Sequence, residues 1–307
     1  MLALLQRFIA LSLALIGAAG AVAAIVLDRP VFAALTPVIV VLGYVAALGA
    51  EFCLLRASYA RGDPLIPNNS DLMSAWIGET FAAPRAFLWR QPFRWKRFPD
   101  EIAGSLTKPR RGIVFVHGFF CNRGLWTPFL QRLHNERIPF VAVNLEPVFG
   151  SIDEYRDTIA AAVEKMGRAT SLAPLVVAHS MGGLAVRAWL ATSPDASRVH
   201  RVVTIASPHA GTRLARHSFA ANIAAMRIDS AWLRDLWSRE SASTRSKFIC
   251  FWSHCDNIVF PTRSATLPEA DNRHLRATAH VQMALHPAVL EAIFQLVDVA
   301  AESERSS

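Results

Sequence analysis

Two long apolar runs near the start of the chain contain no charged side chain. The first covers residues 8–27 and the second residues 31–50, and only the turn Asp28–Pro30 separates them. Each run is about 20 residues long, close to the length of helix that crosses the hydrocarbon core of a bilayer. We therefore predict a transmembrane hairpin over residues 1–56, with these two runs as its spans.

The first run also has features of a secretory signal. Arg7 precedes it, and the small residues Ala21 and Ala23 could mark a cleavage site. Its length, and the second run directly after it, favour a retained span. Arg56 and Arg61 follow the second run, so the positive-inside rule places the C-terminal side in the cytoplasm with either interpretation.

Beyond residue 111, short apolar runs alternate with segments of helical periodicity. This alternation predicts a mostly parallel sheet covered by helices on both faces, an α/β domain over residues 112–299. Ser151, followed by Glu154, is a predicted helix N-cap. Strands are predicted at 112–116, 139–144, 175–178, 202–206 and 247–252, and helices at 125–133, 152–166, after Ser180 and at 287–299.

Basic and aromatic residues are concentrated between the hairpin and this domain, in a linker over residues 57–111. The net charge is +8, and Trp89, Phe93 and Trp95 lie among the basic residues of 85–111. This mixture suits a bilayer interface, and it also suits stacking on single-stranded nucleic acid. The anchor favours lipid, and we expect no nucleic-acid partner. A plainer alternative is that these residues form edge strands and turns.

The cysteines and the C-terminus add little chemistry. Four scattered cysteines form neither a disulfide framework nor a zinc pattern, and we predict no metal site. Residues 300–307 read as a polar tail.

Chemically capable residues follow several predicted strands. Ser180 comes directly after one apolar run, and His117, His209 and Asp256 come after others. Because parallel sheets form their sites at the carboxyl ends of the strands, these side chains are expected at one edge of the sheet.

Ser180 has small residues two positions before and after it, Ala178 and Gly182. Small residues at these positions relieve the crowding of a sharp strand-to-helix turn that exposes a serine hydroxyl. An ordinary helix N-cap serine is the alternative. The stretch AHSMGG resembles the nucleophile elbow of α/β-hydrolase lipases and esterases, in the Ala-x-Ser-x-Gly form of some bacterial lipases.

Two further stretches extend this resemblance over residues 112–299. VFVHGFF resembles the strand and His-Gly turn of lipases, and VTIASPHAGT resembles a strand and turn of triacylglycerol-lipase-like members. The resemblance implies an oxyanion hole formed by the backbone N–H groups of Phe119 and Met181. The residues assigned to turns and the pocket are His117, Gly118, His179, Gly182 and His209.

The resemblance also implies a catalytic acid and base that follow the serine along the chain. Asp256 comes after the run KFICFW, and SHCDNIVFP resembles the acid loop of lipases, although a turn aspartate is an alternative. AHVQMALHPAV resembles the family's histidine-containing ending, which makes His280 the predicted base. His274 is the fallback, and His286 reads as a helix-cap residue before Pro287.

These assignments imply a carboxylic ester hydrolase that needs no cofactor. Because the anchor gives access to lipids that never leave the bilayer, we expect lipid or long-chain acyl esters as substrates. The expected location is the bacterial inner (plasma) membrane, with two spans and a cytoplasmic hydrolase domain. The alternatives are an acyltransferase on the same fold and a non-catalytic membrane or transport-associated protein. The sequence gives no oligomeric state.

An insertion over residues 213–246 is longer than a usual connection in such a sheet. Its apolar and arginine side chains predict amphipathic helices, which either cap the site as a lid or pack on the sheet. As a cap, its aromatic residues, Phe219, Trp232 and Trp237, would favour a bulky acyl group.

Overall fold

The chain begins with a helical hairpin. The computed structural model describes residues 1–102, 110–192, 196–218 and 220–298, and the predicted tail lies outside them. Helix α1 (Leu2–Val26) and helix α2 (Pro30–Ala57) are each long and apolar enough to cross a membrane. Most of their large apolar side chains are exposed rather than buried against the rest of the described chain.

The segment after the hairpin is helical. Helix α3 (Asn69–Pro84) begins after Asn68, whose side chain accepts a hydrogen bond from the Asp71 amide at 2.8 Å. A π-helical segment, Arg85–Arg94, continues it. The alternative of edge strands and turns at the start of the basic stretch is therefore wrong, because the N-cap at Asn68 starts a helix that runs directly into Arg85–Arg94.

Six parallel strands form one sheet, in the order β2-β1-β3-β4-β5-β6. The predicted α/β class is thus confirmed, and the five predicted strands are present, four with slightly shorter bounds and β3 one residue longer. The sixth, β6, was not predicted, because its residues DNRH are polar and exposed at the sheet edge and lack an apolar pattern. The strands are β1 (Ile113–Val116), β2 (Phe140–Ala142), β3 (Leu175–His179), β4 (Val202–Ile205), β5 (Phe248–Trp252) and β6 (Asp271–His274).

Helices cover both faces of the sheet. Successive residues of β1 enter opposite cores, as the alternation of a strand requires: Val114 packs in one cluster and Phe115 in the other. Ser151 caps its segment together with Glu154, as predicted. The helices are α4 (Thr127–Asn135), α5 (Arg156–Thr170), α6 (Met181–Thr192), α7 (Ala221–Ala225), α8 (Ala231–Arg239), α9 (Ala242–Arg245), α10 (His280–Met283) and α11 (Pro287–Val297), with short 3-10 turns at Arg123–Trp126, Ile152–Tyr155, Ala196–Arg198, Arg213–His217 and Thr262–Ala265.

The start of α1 and the end of α2, which lie opposite the turn of the hairpin, both contact the α/β domain. At the start of α1, the Gln6 side chain donates to the Phe120 carbonyl at 3.0 Å and accepts from Asn122 at 3.1 Å. Near the end of α2, Phe52 and Leu55 are buried in a cluster that includes residues of α3 and of the loop after β5. The turn between α1 and α2 is therefore the end of the hairpin remote from the domain.

Candidate active site

Ser180 occupies a strained turn between β3 and α6. Its φ is +54°, a left-handed conformation that residues other than glycine adopt uncommonly. Its amide donates to the Ile205 carbonyl at 2.9 Å, which fixes the turn against β4. An ordinary N-cap residue has extended backbone angles, so the N-cap alternative for Ser180 is wrong.

The predicted glycines of this turn lie in close contact with neighbouring backbone. A Cβ atom on Gly182 would lie 2.6 Å from the His117 carbonyl oxygen, and one on Gly118 would lie 2.8 Å from the Ser180 Cβ. The elbow and the turn after β1 therefore approach each other closely only because both positions lack side chains.

His280 and Asp256 are in direct contact. His280 Nδ1 lies 3.0 Å and 3.1 Å from the two Asp256 carboxylate oxygens, and both side chains are buried. Asp256 Oδ1 also accepts from the amides of Ile258 and Val259, each at 2.9 Å. Burial alone lowers the pKa of His280, but the charge and hydrogen bond of Asp256, together with the charges of Glu79 and Glu51, outweigh it and raise the pKa above 6.5.

The two other histidines considered for the base lie elsewhere. His274 is exposed in β6, where its Nε2 lies 2.9 Å from His254 Nδ1. His286 caps α11 and accepts from the Ala288 amide at 3.2 Å, as the sequence predicts. His280 is therefore the one of the three that the structure places beside Asp256.

Ser180 and His280 line the same pocket, which has a volume of about 410 Å³. We call it the Ser180 pocket. Among the described residues, no hydrogen bond joins the Ser180 hydroxyl to His280. Hydrogen bonds of this kind are often long in free enzymes and shorten when substrate binds. The structure thus brings Asp256 and His280 into contact, and Ser180 and His280 line one pocket.

Phe119 and Met181, the residues of the predicted oxyanion hole, both lie near Ser180: Phe119 lines the same pocket, and Met181 follows the serine in the chain. Met181 is the first residue of α6, where backbone N–H groups have no acceptor within the helix. Within the described parts of the chain, neither amide has a hydrogen-bond acceptor. Both backbone donors are therefore free of other partners among the described residues.

His117 and His209 bind neighbouring segments and hold their turns in place. His117 Nε2 accepts from the Leu145 amide at 3.0 Å, and burial lowers its pKa to about 4. His209 Nε2 lies 3.0 Å from the Thr204 hydroxyl, and its carbonyl accepts from Arg187. Both rings are buried, and neither lines the Ser180 pocket. Their contacts are those of turn residues.

His179 is a neutral neighbour of the predicted base. Its ring centroid lies 4.7 Å from that of His280, and its Nε2 donates to the His280 carbonyl at 3.2 Å. Burial and the adjacent imidazole of His280 lower its pKa to about 3. His179 therefore lines the pocket without adding charge to it.

The first hundred residues also contribute to this pocket, which sequence reasoning missed. Glu79 of α3 accepts from the amides of Val281 and Gln282, each at 2.9 Å, directly after His280. Burial raises the pKa of Glu79 to about 7, although these two hydrogen bonds lower it. The available signal was weak: Glu79 is one carboxylate in a segment that carries no family motif.

A second carboxylate reaches the pocket from the end of α2. Glu51 Oε2 accepts from Asn257 Nδ2 at 2.6 Å, and Asn257 Oδ1 accepts from the His280 amide at 3.2 Å. Glu51 is the first acidic residue after the second apolar run, and that position is the signal in the sequence that could have drawn attention to it.

The wall from the insertion is aliphatic. Leu214, Ala215, Ile223 and Met226 line the pocket, so residues 213–246 do contribute to it. The tryptophans do not: Trp232 donates to Asp153 at 2.9 Å, and Trp237 lies against Arg245. The expectation that they face an acyl group is wrong, because both bind polar partners elsewhere. Phe219 lies outside the described residues.

Metal ligands are not grouped in this region. Among the residues that the structure describes, no three His, Cys, Asp or Glu side chains are placed to hold one ion.

The chain belongs to the Alpha/beta hydrolase family, whose model matches residues 113–295. That range contains the elbow, the loop of Asp256 and His280. No curated protein is a significant match to the sequence.

Solved lipase structures share this fold. The chain is similar to lipase B of Aspergillus fumigatus, with 19% identity and a TM-score of 0.54 over 63% of this chain. The match covers 53% of the fungal lipase, so the chain spans about half of its length. The mature form of Bacillus licheniformis lipase BlEst2 is similar with 16% identity and a TM-score of 0.54, over 64% of this chain and 94% of that one.

Proposed function

We propose that the protein is a membrane-anchored serine hydrolase that cleaves carboxylic esters with lipid or long-chain acyl groups. The observation that carries the proposal is the strained Ser180 at the wall of an apolar pocket that His280 also lines, with Asp256 bonded to His280 behind it. Strain of this kind concentrates at functional sites. The solved lipases of the same fold support ester cleavage as the reaction.

Proton transfer follows from the contacts of His280. Its Nδ1–H donates to Asp256, which leaves Nε2 as the basic nitrogen. Nε2 accepts the Ser180 proton as the hydroxyl oxygen attacks the ester carbonyl, and Asp256 stabilises the imidazolium that forms. His280 then gives this proton to the departing alcohol, and water repeats the sequence to release the acid.

The oxyanion is stabilised by backbone dipoles. The tetrahedral oxygen gains negative charge during attack, and the N–H groups of Phe119 and Met181 are the donors proposed to bind it. Removing one such donor in an enzyme of this type costs about 100- to 1,000-fold in rate. Their lack of other acceptors supports this role.

The membrane part of the proposal is supported by a second apolar surface beside the hairpin. Met73, Ile77 and Phe81 lie one helical turn apart on α3, and each is about half exposed. Trp89 follows them and lies under the Arg94 guanidinium at 5.3 Å. Aromatic and basic side chains of this kind favour the interface between lipid and water.

Hydrolysis of p-nitrophenyl butyrate by the purified full chain tests the reaction. We expect Ser180→Ala and His280→Ala each to lower kcat by at least about 10,000-fold, and the double variant to lower it no further, because a serine and its base act as one unit. Ser238→Ala is the control, since Ser238 is exposed on α8 away from the pocket. Independent, additive losses, or wild-type activity of Ser180→Ala, contradict the proposal.

A further inference from the structure

A second cavity lies between the hairpin and the helices that follow it. This interhelical groove has a volume of about 680 Å³, and no described residue that lines it carries a charge. Its few polar groups have partners: the Thr80 hydroxyl donates to the Trp76 carbonyl at 2.7 Å, and the Tyr44 hydroxyl donates to the Glu79 carbonyl at 3.4 Å. The groove therefore offers an apolar surface and no free hydrogen-bonding group.

The groove adjoins the Ser180 pocket. Tyr44, Ala83 and Phe87 line both cavities and form their common boundary. From this boundary, the groove extends along α1 past Ala14 and Gly17, toward the middle of the apolar hairpin. On the other side of the boundary, the pocket reaches Ser180 and His280. The groove therefore lies directly beside the pocket of the serine, between the candidate membrane helices and the helices that follow them.

A water-soluble substrate would gain no favourable contacts in this groove. An alkyl chain dissolved in the bilayer already lies among the side chains of α1 and α2, and it gains contacts on entering a groove without charges. A polar or charged molecule would lose its hydration there without compensation. The walls therefore select a long hydrocarbon chain rather than a head group.

We propose that the interhelical groove binds the acyl chain of an ester dissolved in the membrane, and that the ester reaches Ser180 from the bilayer. This proposal rests on the proposed function, since it requires an ester carbonyl at Ser180. It adds a binding site formed by the hairpin itself. The hairpin is then part of substrate recognition as well as an anchor.

Gly17 gives a direct test. A Cβ atom on Gly17 would meet no atom within 4 Å, so Gly17→Trp can fill the groove without displacing the backbone. Gly43 of α2 is the matched control, because a Cβ there also meets nothing within 4 Å, but Gly43 is exposed and lines neither cavity. The two variants, the wild type and Ser180→Ala are reconstituted in phosphatidylcholine vesicles.

The measurement is the ratio of kcat/KM for p-nitrophenyl palmitate to that for p-nitrophenyl butyrate. We expect Gly17→Trp to lower this ratio by at least about tenfold, the loss expected when two methylene groups of the chain stay unburied. Gly43→Trp should keep the wild-type ratio. An unchanged ratio in Gly17→Trp, including a parallel loss of both activities, overturns the acyl groove.

The proposed function fails in a different way. If the wild type and Ser180→Ala are equally inactive on both esters, the serine hydrolase assignment is wrong and the groove proposal falls with it. If the wild type cleaves the butyrate in a Ser180-dependent reaction but not the palmitate, only the groove proposal is overturned.

Discussion

At the scale of single residues, the site depends on contacts that hold charged or strained groups in place. Asp256 is buried and accepts two backbone amides besides His280. These bonds hold the carboxylate beside His280, and its charge favours protonated His280. The predicted base is therefore held by a carboxylate that is itself fixed by its own loop.

The pH dependence of kcat/KM tests this contact. Attack requires neutral His280, and Asp256 raises its pKa above 6.5, so activity is expected to fall as the pH drops through that raised value. Asp256→Asn should lower activity by about 10,000-fold and move the acid limb of the residual profile to lower pH. Asp235→Asn, an exposed carboxylate on α8, is the control.

A profile of Asp256→Asn with the wild-type acid limb contradicts this account. It would mean that another group sets the titration, because Asp256 is the carboxylate bonded to the predicted base.

At the scale of elements, helix α3 positions the segment that carries His280. Glu79 accepts the second and third amides of α10, groups that no helical carbonyl can bind. Asp71, on the same helix, binds His254 at 3.1 Å and Arg276 at 3.1 Å. A helix from outside the matched family region thus supports both loops of the site.

Glu79→Gln tests the support of α10. Glutamine has one acceptor oxygen, so one buried amide loses its partner and the free energy of unfolding should fall by about 1–3 kcal/mol. Burial raises the pKa of Glu79 to about 7 in the fold, above its ordinary value of 4.5. The stability that protonated Glu79 gives the folded state is therefore fully present below pH 4.5. It is lost as the pH rises from 4.5 through about 7.

The difference in Tm between wild type and Glu79→Gln should therefore shrink as the pH rises through this window. Glu164→Gln is the control, since Glu164 is half exposed and paired with Arg168 on the surface of α5. A difference that grows with pH contradicts the raised pKa of Glu79.

Sequence reasoning succeeded where the pattern is local. The apolar runs of β1 and β3 to β5 predict buried parallel strands, and the residues after them predict the elbow and the acid loop. It failed where the information is tertiary: β6 is polar because it lies at an edge, and the pocket wall from Tyr44 and Glu79 depends on how the hairpin and α3 pack against the domain. The hydrophobic pattern of those segments does not indicate how they pack against the domain.

At the scale of the whole molecule, both ends of the hairpin meet the α/β domain. Gln6 near the start of α1 and Phe52 near the end of α2 contact it. A bilayer around the hairpin would therefore have the turn at Asp28–Pro30 on one side and the domain on the other. The positive-inside rule, through Arg56 and Arg61, predicts that the domain faces the cytoplasm.

Reporter fusions test this topology. Alkaline phosphatase fused to the C-terminus should be inactive in cells, and the same enzyme inserted between Asp28 and Arg29 should be active, because it folds only after export. Green fluorescent protein at the C-terminus should be fluorescent. Strong phosphatase activity from the C-terminal fusion would reverse the orientation.

The central claim is that Ser180 is the nucleophile, and covalent labelling tests it most directly. The purified full chain is treated with a fluorophosphonate, which reacts with activated serines, and the adduct is located by peptide mass mapping. We predict one adduct at Ser180 in the wild type and in Ser238→Ala, and none in Ser180→Ala. Undiminished labelling of Ser180→Ala, or an adduct at another serine of the wild type, would contradict it.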